Sequence, residues 1–141
     1  MKTLYTAKAH AVGGRHGMVR SDDGLLDLQL AVPKEMGGKG GATNPEQLFA
    51  AGYAACFENA VIHVSRGREA KVRDEDIEVT ASVGLGPRGA GGFGLSVALD
   101  VTIAGLDQAA AEDIVRQAHA TCPYSNAVRG NVDVAISVST R

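Results

Sequence analysis

The chemistry open to this chain starts with sulfur. It has two cysteines, Cys56 and Cys122. A thiolate is a nucleophile and can be oxidised, whereas a thiol buried among apolar side chains has a raised pKa and is inert. Cys56 lies inside the apolar stretch 48–64, so to react near neutral pH it needs a nearby cation and limited water. Arg15 follows Gly13 and Gly14; glycines let the backbone come close, and a guanidinium keeps its charge. Glu46 can hold that guanidinium in a bidentate pair. The plainer reading of the two is a surface arginine and a carboxylate at a helix N-terminus, and residue chemistry alone leans toward it. Cys122 precedes Pro123. At the cap of a short helix its pKa falls, and on dipole reasoning alone Cys122 is the better nucleophile. Two inert buried thiols are the third reading, since free cysteine is commonly buried.

The other chemistry-bearing types are less promising. Histidines 10, 16, 63 and 119 show neither H-x-x-x-H nor a companion C-x-x-C, so no metal is expected. His63 reads as a hydrogen-bonded core residue. No G-x-S-x-G is present, which leaves a serine hydrolase unsupported. Residues 84–94 contain a G-x-G-x-x-G, but it holds Pro87 and leads into a strand, so it reads as a hairpin connection and not a dinucleotide site. The Gly-rich segment 33–43 lacks P-loop spacing and reads as a mobile connection or lid. Phe49, Phe57 and Tyr124 are core candidates that could also form an apolar wall.

The element that must position Cys56 is a helix. Asn44 suits its N-cap, Pro45 its first turn, and Glu46 the positive end of its dipole. Its apolar residues go nearly all the way round, the pattern of a helix covered on most sides. Some twenty residues make a rod of about 30 Å, and the ten residues from Glu46 to Cys56 span about 15 Å of it. One arginine hardly bridges that distance, so either the helix bends or Arg15 and Glu46 serve a neighbouring subunit's cysteine. Strands are expected over 3–12, 17–22 and 26–30 before the helix, and over 77–83, 95–103 and 132–138 after it. Asp107 caps a second helix over 108–121, with Ala110, Ile114, Ala118 and Thr121 on one face and Pro123 as its stop. The order predicts an α+β fold of hairpin-joined, antiparallel sheets around a long buried helix. So small a chain lacks sheet to cover the rod, which predicts an intertwined homodimer.

The totals exclude several classes. At 141 residues the chain is expected to be a single domain, 1–141. A net charge of −2 and no basic run argue against nucleic acid, and 4% aromatics argue against a single-strand stacking platform. No signal-peptide core and no stretch able to span a bilayer is seen, so a cytoplasmic protein without membrane attachment is expected.

Two stretches are more specific. Residues 44–57, NPEQLFAAGYAACF, and 122–131, CPYSNAVRGN, closely resemble the signatures of organic hydroperoxide resistance proteins, the Ohr branch of the OsmC-like superfamily. Gly13-Gly14-Arg15, then Ser21-Asp22-Asp23-Gly24 and Leu26-Asp27-Leu28, resemble that family's N-terminal hairpin. The resemblance implies the OsmC-like fold and a cytoplasmic homodimer. It implies a thiol peroxidase that reduces organic hydroperoxides, fatty-acid peroxides included. Cys56 matches the peroxidatic and Cys122 the resolving cysteine, joined as a Cys56–Cys122 disulfide during turnover, while Arg15 and Glu46 match the pair that activates the thiolate. Phe49, Phe57 and Tyr124 would line the substrate site. No cofactor or metal is bound; the reductant is the dihydrolipoyl group of a lipoylated protein. His16 stands where the family commonly has an acidic residue and Ala54 where it often has Ser. The rival functions are a redox sensor using the same thiols and a non-catalytic binder of apolar small molecules.

Overall fold

Asn44 caps the long helix α1, Pro45–Ser65: its side-chain oxygen accepts the Gln47 backbone N–H at 2.9 Å and its carbonyl accepts from Leu48. The helix ends where Gly67 and Arg68 turn their N–H groups back to Val64 and Ser65. In this computed structural model, which describes all residues from Met1 to Arg141, the chain divides into two compact units, Met1–Leu48 and Phe49–Arg141, with the division inside α1.

The first unit carries β1 (Ala9–Val12), β2 (Met18–Ser21) and β3 (Asp27–Gln29), an antiparallel sheet in that order. The first strand is shorter than expected: beyond the Lys8 carbonyl, which accepts the Asp22 N–H, residues 3–7 pair with no strand of this chain. Gly13 and Gly14 take φ of 84° and 60° to open the β1–β2 turn, a left-handed geometry that other residues avoid. The segment 33–43 is a connecting loop, as expected, with structure of its own. It contains a 3-10 turn, Lys34–Met36, and closes on its own backbone through Gly40 N–H to Val32 and Ala31 N–H to Thr43.

The second unit holds the core. Strands β4 (Ile77–Pro87) and β5 (Phe93–Ile103) form an antiparallel hairpin in register from Ile77↔Ile103 to Pro87↔Phe93, with residues 88–92 as its turn. The glycine pattern at 84–94 is therefore hairpin, as expected. Helices α2 (Gln108–Thr121) and α3 (Pro123–Val128) follow, then β6 (Val134–Thr140). Asp107 caps α2 by accepting the Ala110 N–H at 2.8 Å. β6 pairs with β5 in parallel, Val97↔Val134 to Ile103↔Thr140, so this sheet is mixed and not wholly antiparallel. Two helices return the chain along the sheet before β6, a crossover that parallel pairing needs.

Period-two alternation puts Val97, Leu99, Val101 and Ile103 of β5 into the core. They meet Tyr53, Phe57, Ala60 and Val61 of α1 and Ala111, Ile114, Val115 and Ala118 of α2. The buried face of α2 thus runs through Ala111 and Val115, while Thr121, expected on it, is exposed. On α1, Ala51, Ala55, Asn59 and His63 form an exposed stripe at intervals of four residues. His63 is accordingly not a core residue; it lies on the side of the helix that the core leaves uncovered. No helix is long and apolar enough to cross a membrane.

Candidate active site

Cys56 projects from the middle of α1 and Cys122 sits at the junction of α2 and α3. Both are free, and their sulfurs are 3.6 Å apart. The junction sets this distance. Cys122 closes α2 by donating its backbone N–H to Ala118 at 2.8 Å and opens α3 by accepting the Asn126 N–H at 2.9 Å. Pro123 suits the first position of the new helix and cannot continue the old one. A disulfide needs about 2.05 Å between sulfurs, so a small closure would join them.

The two thiols differ in access. Cys122 has no exposed surface, while Cys56 is partly open. Dipole reasoning favours Cys122 as nucleophile, but a reagent from solvent reaches Cys56 first. Burial pushes the Cys56 thiol above its ordinary pKa; a hydrogen bond from the Tyr124 backbone N–H pulls it down, and the neighbouring Cys122 pushes it up again.

An aromatic group surrounds the sulfurs' elements. Tyr53 meets Phe49, Phe57 and Tyr124 with ring centroids 6.3, 6.4 and 5.7 Å away, and Phe49 meets Tyr124 at 6.5 Å. Gly52 makes room for this packing: a Cβ there would stand 2.9 Å from the Tyr124 hydroxyl and 3.2 Å from its ring. Phe49 lines a cavity of about 390 Å³ with Phe93, Leu95, Val128, Val132 and Arg88. Tyr124 is 40% exposed. Phe57, a core candidate that the resemblance also set at the substrate site, is fully buried and packs in the core, where it continues the Phe49–Tyr53 row by one turn.

Arg15 and Glu46 do pair. The 3-10 turn Gly14–His16 presents the guanidinium, and two parallel bonds, 2.8 Å to Oε2 and 2.7 Å to Oε1, join it to the carboxylate. This is the planar two-point match that arginine makes and lysine does not. The side chains are 35% and 15% exposed. The guanidinium holds the Glu46 carboxyl below its ordinary pKa, and the carboxylate raises that of Arg15. His16 is exposed. No group of three or more His, Cys, Asp or Glu side chains is arranged to hold a metal.

Three residues that the sequence reading passed over gather beside the cysteines. The Tyr53 hydroxyl is 2.7 Å from Ser125 Oγ, which is 2.9 Å from His119 Nδ1. The available signal was spacing: Tyr53 and His119 each precede a cysteine by three residues, one helical turn. The Tyr124 N–H at Cys56 had no sequence signal, since every residue but proline carries one.

Residues 38–137 match the family model described as OsmC-like protein. The chain is similar to the organic hydroperoxide resistance protein of Xanthomonas axonopodis pv. citri, 49% identical over 139 residues that cover 98% of this chain and 96% of the relative. Among solved structures it is similar to an organic hydroperoxide resistance protein from Legionella pneumophila, 57% identical with a TM-score of 0.92, covering 98% of this chain and 99% of that one. It is also similar to OhrB of Bacillus subtilis, 45% identical with a TM-score of 0.87, covering 96% and 99%.

Proposed function

The chain belongs to the OsmC-like family, in its organic hydroperoxide resistance branch, and from that premise we propose that it is a two-cysteine peroxidase for organic hydroperoxides. The observation that carries this reading is the pair of free sulfurs 3.6 Å apart, one partly open and one buried.

The Cys56 thiolate attacks the outer peroxide oxygen. The O–O bond breaks, the alkoxide takes a proton and leaves as the alcohol, and Cys56 becomes a sulfenic acid. The sulfur of Cys122 then attacks the sulfenic sulfur. The S–S bond forms, the S–O bond breaks, and hydroxide leaves with the Cys122 proton as water. Because burial works against the Cys56 thiolate, activation is assigned to the Arg15–Glu46 pair: its guanidinium favours the thiolate and the charge moving onto oxygen. Phe49 and Tyr124 supply apolar surface that suits a hydrocarbon peroxide, fatty-acid peroxides included. The dihydrolipoyl arm of a lipoylated protein re-reduces the disulfide, and we assign the reaction to the cytoplasm, where structural disulfides are rare.

We further propose that the chain acts as one domain within an intertwined homodimer. The exposed Leu4 and Tyr5, and Ala51 and Ala55 on the uncovered side of α1, support it, since exposed apolar surface of this kind marks a contact with another chain. Sedimentation showing only monomer contradicts the dimer. For the activity, cumene hydroperoxide is supplied with dihydrolipoamide as reductant. Sustained, catalytic loss of the peroxide is expected; oxidation that stops after one event per chain indicates a sensor instead.

A further inference from the structure

The reaction above leaves a buried polar chain unused. Tyr53 and Ser125 have no exposed surface, and with His119 they form an unbroken row, hydroxyl to hydroxyl at 2.7 Å and hydroxyl to imidazole at 2.9 Å. Burial pushes His119 below its ordinary pKa, with Arg129 acting in the same direction, and pushes the Tyr53 phenol up. Both groups are therefore neutral near pH 7, and the row is held by neutral hydrogen bonds.

Its three members come from the three elements that bring the sulfurs together. Tyr53 is one turn before Cys56 on α1, and His119 is one turn before Cys122 on α2. Ser125 lies in α3, three residues after Cys122 and next to Tyr124, whose N–H reaches Cys56. A second tie runs from Arg129, after α3, to the His119 carbonyl oxygen. Apolar side chains would fill the same space without the cost of desolvating two hydroxyls and an imidazole. What they lack is direction: a satisfied polar row fixes the rotation of each element it joins.

We propose that Tyr53, Ser125 and His119 are positioning residues, which lock the first turn of α3 so that Cys122 Sγ and the Tyr124 N–H both stand at Cys56. This rests on the peroxidase reading. The step most exposed to misplacement is attack by the Cys122 sulfur on the sulfenic sulfur, since a shift of about 1 Å can cost on the order of a hundredfold in such a reaction.

Ser125→Ala and Tyr53→Phe test it in the full chain; each loses a single oxygen, but the first breaks both bonds of the row and the second only one, which keeps the experiment informative if the first folds poorly. Each protein receives one equivalent of cumene hydroperoxide, and disulfide formation is followed against trapping of the sulfenic acid by dimedone. Ultraviolet thiolate absorbance gives the Cys56 titration in each variant combined with Cys122→Ser. Condensation is expected to slow about tenfold or more, with dimedone adduct accumulating and the Cys56 titration moving to higher pH. Variants that are less stable yet condense at the wild-type rate, with the titration unmoved, overturn this inference alone. Wild-type thiols indifferent to peroxide overturn it together with the peroxidase reading.

Discussion

The cysteine pair and the arginine–glutamate pair are built on opposite principles. The sulfurs are held by packing: Cys122 lies in the core, Tyr53 and Phe57 flank Cys56 on α1, and a helix junction sets the 3.6 Å distance. Their environment makes proximity certain and ionisation harder, because burial raises the Cys56 pKa. Arg15 and Glu46 are held by directed bonds on a glycine turn and a helix end, partly in contact with water. That environment does little for packing and keeps both charges. A core can bring two thiols together, but it cannot also supply the charge that ionises one of them, since burying an unpaired cation costs far more than a thiol shift returns. In this account proximity and activation are separate devices.

The sharpest way to break that separation is at the sulfurs. Cys56→Ser is expected to abolish peroxide reduction, measured as steady-state loss of cumene hydroperoxide. Cys122→Ser should still give one sulfenic acid per chain while disulfide formation disappears. Full activity in Cys56→Ser would sink the assignment. The next largest effect concerns activation alone. Arg15→Ala is expected to slow the first oxidation about a hundredfold, comparable to removing one charge-stabilising donor, and to raise the Cys56 titration, while the protein stays folded. An unchanged titration would remove Arg15 from the mechanism.

A smaller effect distinguishes packing from chemistry at Gly52. Alanine in a helix interior gains roughly 0.5–1 kcal/mol over glycine, and here it must displace the half-open Tyr124 ring, an overpacking cost of about 1 kcal/mol or more. The two nearly cancel. Thermal unfolding should therefore move little, while oxidation of Cys56, measured in the same sample, slows because its Tyr124 N–H partner shifts. A large loss of stability would show the ring to be immovable.

The smallest effect is in pH. Arg15 lowers the folded pKa of Glu46, so the folded state binds that proton less readily than the unfolded chain. The pair's contribution is present above the ordinary carboxylate pKa, about 4.3, and is lost as pH falls through the lowered value. Cys56 acts in the opposite sense: its raised pKa leaves stability intact below the ordinary thiol value, about 8.5, and erodes it as pH rises toward the folded one. Urea unfolding across pH, with Glu46→Gln and Cys56→Ser as references, should show the acid loss vanish in the first and the alkaline loss shrink in the second.

How much of this was legible in the sequence depended on whether the cause was local. Asn44, Asp107 and Pro123 marked helix ends to within a residue, because caps and prolines act on adjacent backbone. Side-chain chemistry offered the Arg15–Glu46 pair but leaned toward two unrelated surface groups, and only the family resemblance brought the pair forward; the structure forms it. The direction of β6 was not legible: Val134–Thr140 alternates identically in parallel and antiparallel ladders, and only the crossover through α2 and α3 decides. His63 was misplaced for a related reason. It sits in an apolar stretch, but which side of a helix the core covers is a tertiary fact. The Tyr53–Ser125 bond joins residues 72 apart, and no local pattern announces it.

The central claim is that two sulfurs placed by a core form one redox unit. Counting thiols tests it most directly. The protein is reduced, freed of reductant, given one equivalent of cumene hydroperoxide per chain, and its free thiols are titrated within seconds. The account predicts loss of both thiols in every chain, with far slower loss to hydrogen peroxide. Survival of both thiols would contradict it and leave a shared fold without the chemistry.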